Sequence, residues 1–340
     1  MIREWSGAEE VVVAIADRGQ PERARDLAGG ARESIARTPS SAATQCSRYH
    51  GPMPAATANG ITIEYETFGD PGSPPVLLIM GLGGQLTMWD PSFCSALADR
   101  GFYVIRYDNR DVGRSTWFDD AGEPDLAELL ARKVAPPYSV SDMAADAAGL
   151  LDALGLASAH VVGVSMGGMI AQTFAIEYPE RTRTLVSIMS TTGDRTVGAP
   201  QPEALVALAA PAPATRDEAI EQGAAVWRII RSPGFPFDEQ AVRERAAASY
   251  DRAFHPAGMA RQMAAIMSQP DRTAALANVG VPALVIHGES DPLVDPSGGK
   301  ATAAAIPGAR LKLVPGMGHD LPPELFGELV TDLAGHFHRG

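Results

Sequence analysis

From residue 53 onward, short unbroken apolar runs alternate with stretches of helical periodicity. The runs are Pro75 to Met80, Gly101 to Asp108, His160 to Val164, Thr184 to Ser190, Pro282 to His287 and Arg310 to Val314. A strand that reads as continuously apolar is buried on both faces, which marks a parallel sheet covered by helices. One earlier segment, Ile61-Thr62-Ile63-Glu64-Tyr65-Glu66-Thr67, alternates with period two and predicts a half-buried strand. Helical patterns fall at Val140 to Leu154, Met166 to Tyr178, Ser297 to Ile306 and Pro323 to His336. This alternation predicts an α/β fold with a mostly parallel sheet and right-handed crossovers.

One interval breaks the rhythm. Residues 191–273 hold no convincing strand, only helical patterns such as Arg216 to Arg231, Glu239 to Tyr250 and Pro256 to Met267. The interval predicts a helical cap inserted between core segments 53–190 and 274–340, lying over the sheet edge where such folds bind ligands. Residues 1–52 differ again: Pro, Ser and Arg are frequent and periodicity is weak, so a poorly ordered leader is expected, with Met53 a genuine or alternative start.

Composition narrows the partners. The chain has 340 residues, 45% hydrophobic, with 28 basic against 41 acidic side chains and a net charge of −13. That sign opposes binding to a phosphate backbone, so no nucleic-acid partner is expected. Cys46 and Cys94 are too few for a disulfide framework and lack metal-site spacing, so a reducing, cytoplasmic setting without structural metal is expected. No apolar run nears the roughly 18 to 20 residues of a membrane span, and Val11 to Ala16 is too short and poorly flanked for a signal peptide.

The chemistry centres on His160-Val161-Val162-Gly163-Val164-Ser165-Met166-Gly167-Gly168, a G-x-S-x-G between a buried strand and a helix. With 34 glycines in the chain, chance alone supplies roughly 0.2 such motifs. The strand before and helix after it therefore carry the case, by predicting a nucleophile elbow at Ser165. A serine hydroxyl needs a base, and the base needs a carboxylate to fix its tautomer. His319, in the loop after Arg310 to Val314, is the expected base. Asp291, in the turn after Pro282 to His287, is the expected acid. Glu289, Asp295 and Asp320 stand close enough to compete for the acid role, Asp295 foremost. His287 and His160 read as structural, His50, His336 and His338 lie in terminal segments, and His255 has no recognisable partner.

Acyl transfer also needs donors for the developing oxyanion. The loop Met80-Gly81-Leu82-Gly83-Gly84-Gln85 follows a strand where such a donor belongs, so the N–H groups of Leu82 and Met166 are expected to form the hole. The loop lacks the Lys-Ser/Thr of a phosphate-binding P-loop and the full G-x-G-x-x-G fingerprint. No nucleotide or other cofactor is expected.

These residues resemble the α/β-hydrolase superfamily from about Met53 to the C-terminus. The resemblance implies the α/β-hydrolase fold, with Ser165 as nucleophile, Asp291 as acid, His319 as base and the Leu82 and Met166 N–H groups as oxyanion donors. The segment Arg106 to Ser115 is similar to a family stretch that organises the neighbouring loop. Met80-Gly81 stands where many members have His-Gly, which changes the side chain of that loop and spares its backbone donor. The chain looks most like the aclacinomycin methylesterase-like branch, through Ile79-Met80-Gly81, Arg106 to Ser115, Trp227-Arg228-Ile229-Ile230, Pro236-Phe237-Asp238 and Pro315-Gly316-Met317-Gly318-His319. That branch implies a methyl ester substrate.

The expected activity is cofactor-free hydrolysis of a small to medium, largely apolar carboxylic ester through an acyl-enzyme. A haloperoxidase or perhydrolase, a lactonase, a carbon–carbon bond hydrolase and an aminopeptidase use the same triad, and a ligand-binding receptor could keep the fold without turnover. An Asp-dependent epoxide hydrolase or dehalogenase is disfavoured, because the elbow residue is Ser165. Met259, Met263 and Met267 form a stripe that reads as cap packing or, alternatively, as an apolar pocket wall.

Overall fold

The alternation along β3 (Pro75–Ile79) sorts the core into two layers. Val76 and Leu78 face one side of the sheet and Leu77 and Ile79 the other, as the two-residue strand period requires. The computed structural model describes residues 53–125, 128–129 and 134–340. The leader expected over 1–52 lies outside them, with Cys46 and His50.

Eight strands form one sheet: β1 (Ala55–Ala58), β2 (Ile61–Phe68), β3, β4 (Tyr103–Tyr107), β5 (Ala159–Val164), β6 (Thr182–Ile188), β7 (Ala283–Gly288) and β8 (Arg310–Val314). Their order is β1-β2-β4-β3-β5-β6-β7-β8. β1 pairs antiparallel with β2 and β2 with β4, and every pairing from β4 to β8 is parallel. Strands β3 to β7 are almost wholly buried, whereas β2 keeps the mixed pattern its alternation predicted.

Helices α1 (Pro91–Ala98) and α10 (Phe326–Phe337) pack Phe93, Leu97, Leu329, Leu333 and Phe337 on the layer of Val76 and Leu78. On the opposite layer α2 (Val140–Ala153) and α3 (Met166–Glu177) bury Met143, Leu150, Ile170 and Phe174 against Leu77 and Ile79. Helix α2 starts where Ser139 and Asp142 cap each other's backbone N–H groups.

Between β6 and β7 the chain forms α4 (Pro202–Leu208), α5 (Arg216–Ile230), α6 (Glu239–Arg252), α7 (Pro256–Ser268) and α8 (Thr273–Leu276). The predicted helices appear here as α5, α6 and α7, and no strand occurs among the described residues of this interval. Thr215 and Glu218 form the capping box that starts α5. Helix α9 (Ser297–Ala305) crosses from β7 to β8. No helix among the described residues is long and apolar enough to cross a membrane.

Candidate active site

Ser165 occupies the turn between β5 and α3 with φ 57° and ψ −120°, a left-handed conformation that side chains rarely adopt. The flanking glycines permit it. A Cβ on Gly163 would land on the Gly167 carbonyl oxygen, and one on Gly167 would land on that of Ile79. The turn is held by the Ser165 N–H donating to the Ile188 carbonyl at 2.9 Å and by Ser190 Oγ donating to the Ser165 carbonyl at 2.8 Å.

The structure brings Ser165, His319 and Asp291 onto one hydrogen-bonded line. His319 Nε2 lies 2.9 Å from Ser165 Oγ, and His319 Nδ1 lies 2.8 Å from Asp291 Oδ2. The carboxylate assigns the Nδ1 proton to its own side and leaves the Nε2 lone pair toward the hydroxyl. Asp291 follows β7, and its other oxygen accepts the N–H groups of Leu293 at 2.8 Å and Val294 at 2.9 Å. Burial pushes the Asp291 carboxyl up. His319, the hydrogen bond from His287 and the Val294 N–H outweigh that and hold it well below the usual carboxylate range.

The competing carboxylates go elsewhere. Glu289 and Asp295 are exposed, and Asp295 Oδ1 accepts the Ser297 N–H at 2.9 Å. Asp320 turns to the Ser232 hydroxyl, and burial raises its carboxyl despite that hydrogen bond. His287 is fully buried, with Nε2 2.8 Å from the Val294 carbonyl oxygen and 3.4 Å from Asp291 Oδ2, the same oxygen that faces His319 Nδ1.

His160 lies 3.0 Å from Thr184 Oγ1, and burial pushes its pKa down to about 3. His336, expected in a terminal segment, is buried on α10 beside the Leu185 carbonyl oxygen, and burial lowers it to about 4. The expectation that His255 lacks a partner is corrected. It stacks on Trp117 at 4.1 Å, with Nε2 2.8 Å from Arg261 Nη2 and 3.2 Å from Asp119 Oδ1. Trp117 and Asp119 lie far away in sequence, where no periodicity announces them, and Arg261 is six residues on in α7.

The Met80 to Gln85 loop passes directly beside the serine: a Cβ on Gly81 would lie 3.2 Å from Ser165 Cβ. Leu82 is therefore the next residue along that wall. Met166 is the first residue of α3, where backbone N–H groups have no intrahelical acceptor. Three bonds brace the loop. Asn109 Nδ2 donates to the Met80 carbonyl at 2.9 Å, Leu86 N–H to Asp108 Oδ1 at 2.7 Å and Gly83 N–H to Gln262 Oε1 at 2.8 Å.

Sequence reasoning missed Gln262 and Gln85. Gln85 Nε2 donates to the Ser249 and Ala253 carbonyls, both at 2.8 Å, so α6 as well as α7 is pinned to this loop. Met259 of the stripe lies on Gly83, where an added Cβ would sit 3.2 Å from its sulfur. An apolar groove of about 470 Å³ lies between α4 and α5, lined by Val206, Val226 and Ile229 among others. No group of three or more His, Cys, Asp or Glu among the described residues could hold a metal ion.

A sheet of this order, layered by helices and carrying a serine elbow at a strand's C-terminal end, defines the class of α/β hydrolases. The chain belongs to the alpha/beta hydrolase fold family, which matches residues 74–324, and it is a hydrolase. It is similar to rhodomycin D methylesterase DauP of Streptomyces sp. strain C5, 32% identical over 309 residues that span 84% of this chain and 98% of that protein. The rhodomycin D methylesterase DnrP of Streptomyces peucetius is 31% identical over 307 residues, with the same shares covered. Among solved structures, the enol-lactonase from Burkholderia xenovorans LB400 superposes with a TM-score of 0.66 at 25% identity, over 84% of this chain and all of that one.

Proposed function

We propose that the chain is a serine carboxylic-ester hydrolase that works through an acyl-enzyme, with methyl esters of largely apolar acids as its substrate class. The observation that carries this reading is the line from Ser165 Oγ through His319 to Asp291, at 2.9 and 2.8 Å, on a serine held at φ 57°. Ser165 Oγ attacks the ester carbonyl while His319 Nε2 takes its proton. The oxyanion accepts hydrogen bonds from the Leu82 and Met166 N–H groups. Collapse expels the alcohol, which leaves with the proton from His319. His319 then deprotonates water, whose attack on the acyl-enzyme releases the acid and restores Ser165. Asp291, held ionised, keeps the imidazole oriented and stabilises the imidazolium.

The likeness to two methylesterases along nearly their whole length supports the methyl ester. The likeness to an enol-lactonase supports a second reading, in which a cyclic ester opens onto the same serine. We further propose that residues 191–273 act as a cap over core segments 53–190 and 274–340, since Gln85 and Gly83 of the core loop bond to α6 and α7. Hydrolysis of p-nitrophenyl acyl esters and of methyl esters of bulky apolar acids, by wild type and Ser165→Ala in parallel, tests the mechanism. Turnover that falls at least about 10⁴-fold in the variant supports it. Equal turnover in both overturns it.

A further inference from the structure

The loop that carries His319 is tied to the segment leaving α5 as well as to the sheet. His319 N–H donates to the Ile230 carbonyl oxygen at 2.7 Å, and Gly234 N–H donates to that of Gly316 at 2.9 Å. Gly318 N–H donates to Ser232 Oγ at 2.8 Å, and the same hydroxyl donates its proton to Asp320 Oδ1. Gly318 and Asp320 are the chain neighbours of His319, so one hydroxyl grips the imidazole-bearing residue from both sides. Ser232 is only 3% exposed, and a buried donor and acceptor pair of this kind is costly to leave unmade.

The backbones approach too closely for side chains to intervene. A Cβ on Gly318 would land on the Arg231 carbonyl oxygen, and one on Gly234 would lie 2.7 Å from the Gly316 Cα. The contact is therefore built from main chain, the Ser232 hydroxyl and the Asp320 carboxylate, with little room to relax.

We propose that Ser232, backed by Asp320, is a positioning residue that sets His319 in line with Ser165 Oγ from the side of the helical insertion. This rests on the reading of Ser165, His319 and Asp291 given above. Ser232 touches no reacting atom. It acts by fixing the loop on either side of the base, and a shift of about 1 Å in such a group can cost 10²-fold in rate. The orientation of the base is then set jointly by the strand end at Val314 and by the exit of α5.

The test uses two reactions of the full chain. One is hydrolysis of a p-nitrophenyl ester. The other is labelling by an alkyl fluorophosphonate, in which Ser165 Oγ attacks phosphorus, fluoride leaves and the serine proton passes to His319. Labelling reads the activated serine whatever the natural ester. Ser232→Ala is expected to slow kcat and labelling roughly tenfold with KM within about twofold. Asp320→Ala is expected to do the same, and Asp320→Asn, which keeps an acceptor oxygen for Ser232 Oγ, to recover most of the loss.

Variants that fold and react at wild-type rates overturn the proposal, as does a loss shared equally by kcat and KM and matched by a fall in folded fraction. Should Ser232→Ala fail to fold, the contrast between Asp320→Ala and Asp320→Asn decides by the same criteria. Ser165→Ala separates the two levels: if it still turns over ester and takes label, the serine reading itself falls. If it is inert while Ser232→Ala matches wild type, only the positioning role falls.

Discussion

Gln262 bridges two loops that are remote from it in sequence: its Oε1 accepts the Gly83 N–H at 2.8 Å, and its Nε2 donates to the Arg110 carbonyl oxygen at 2.7 Å. One fully buried amide of α7 therefore fixes the loop beside Ser165 against the loop after β4. Leucine at 262 would leave the Gly83 donor and the Arg110 acceptor unpaired, at a cost of about 1–3 kcal/mol. Gln262→Leu is expected to lose that much stability in urea unfolding and to turn over ester more slowly, because Leu82 adjoins Gly83. An unchanged midpoint and rate would show that the bonds at Met80, Gln85 and Leu86 hold the loop without Gln262.

The backbone of Ser165 is expected to store strain of about 1–3 kcal/mol, the usual cost of a side chain in a sparsely populated region. Glycine bears that conformation at no steric cost. Ser165→Gly is therefore expected to be more stable than Ser165→Ala, by about 1 kcal/mol or more, while both lack esterase turnover. Chemical denaturation of the two variants side by side checks the difference. Equal midpoints would mean that the elbow imposes no strain.

Acid lability follows from His160 and His336. Both are buried neutral, with pKa values lowered by burial to about 3 and about 4. An unfolded histidine takes up a proton below about 6.5, so the unfolded chain binds more protons under that value. The stability from each is complete above pH 6.5 and drains as pH falls toward about 4 for His336 and about 3 for His160. The slope is about 1.4 kcal/mol per pH unit for each group. His336→Phe should reduce the slope between pH 6 and 5 by that amount, measured by urea unfolding at each pH. The depressed Asp291 acts in a separate window, below the ordinary aspartate value of about 3.9.

Arg261 and Asp111 form a bidentate pair, 2.8 Å at both contacts, with side chains 1% and 0% exposed. Removing the guanidinium strands a buried carboxylate, which costs about 3–5 kcal/mol. Arg261→Met is expected to destabilise the chain on that scale. Asp111→Asn combined with it should cost less than the sum, and a double-mutant cycle in thermal unfolding reads the coupling. Additive losses would show that the pair does not anchor α7.

The parallel strands β3 to β7 were legible because each is almost wholly buried and announces itself as an apolar run. By contrast β8, read as buried on both faces, is a partly exposed edge strand that pairs only with β7 and alternates Arg310, Leu311, Lys312, Leu313. The elbow was legible because Gly163 and Gly167 serve a contact that no other residue fits. Strand β1 was missed, since Ala55-Ala56-Thr57-Ala58 has too little apolar contrast to show a period. Helix α1 was missed too. Its signal was a cap, Asp90 accepting the Ser92 N–H at 2.7 Å ahead of Pro91, rather than a repeat. The three residues of the hydrogen-bonded line could be picked out because each ends a recognisable strand. Gln85, Gln262 and Ser232 could not, because an amide or a hydroxyl that bonds across more than eighty residues leaves no local pattern.

The crossing of Gly234 over Gly316 limits how the helical insertion can be exchanged. A graft joined at the ends of β6 and β7 transplants one half of a backbone contact whose other half stays with the host. The donor helices would arrive with their own residues opposite Gly316 and Gly318, and any Cβ at the crossing would push the histidine loop aside. Chimeras between relatives of this fold are thus expected to work when the 230–235 and 315–320 segments travel together, as one inheritable unit split in sequence and joined in space.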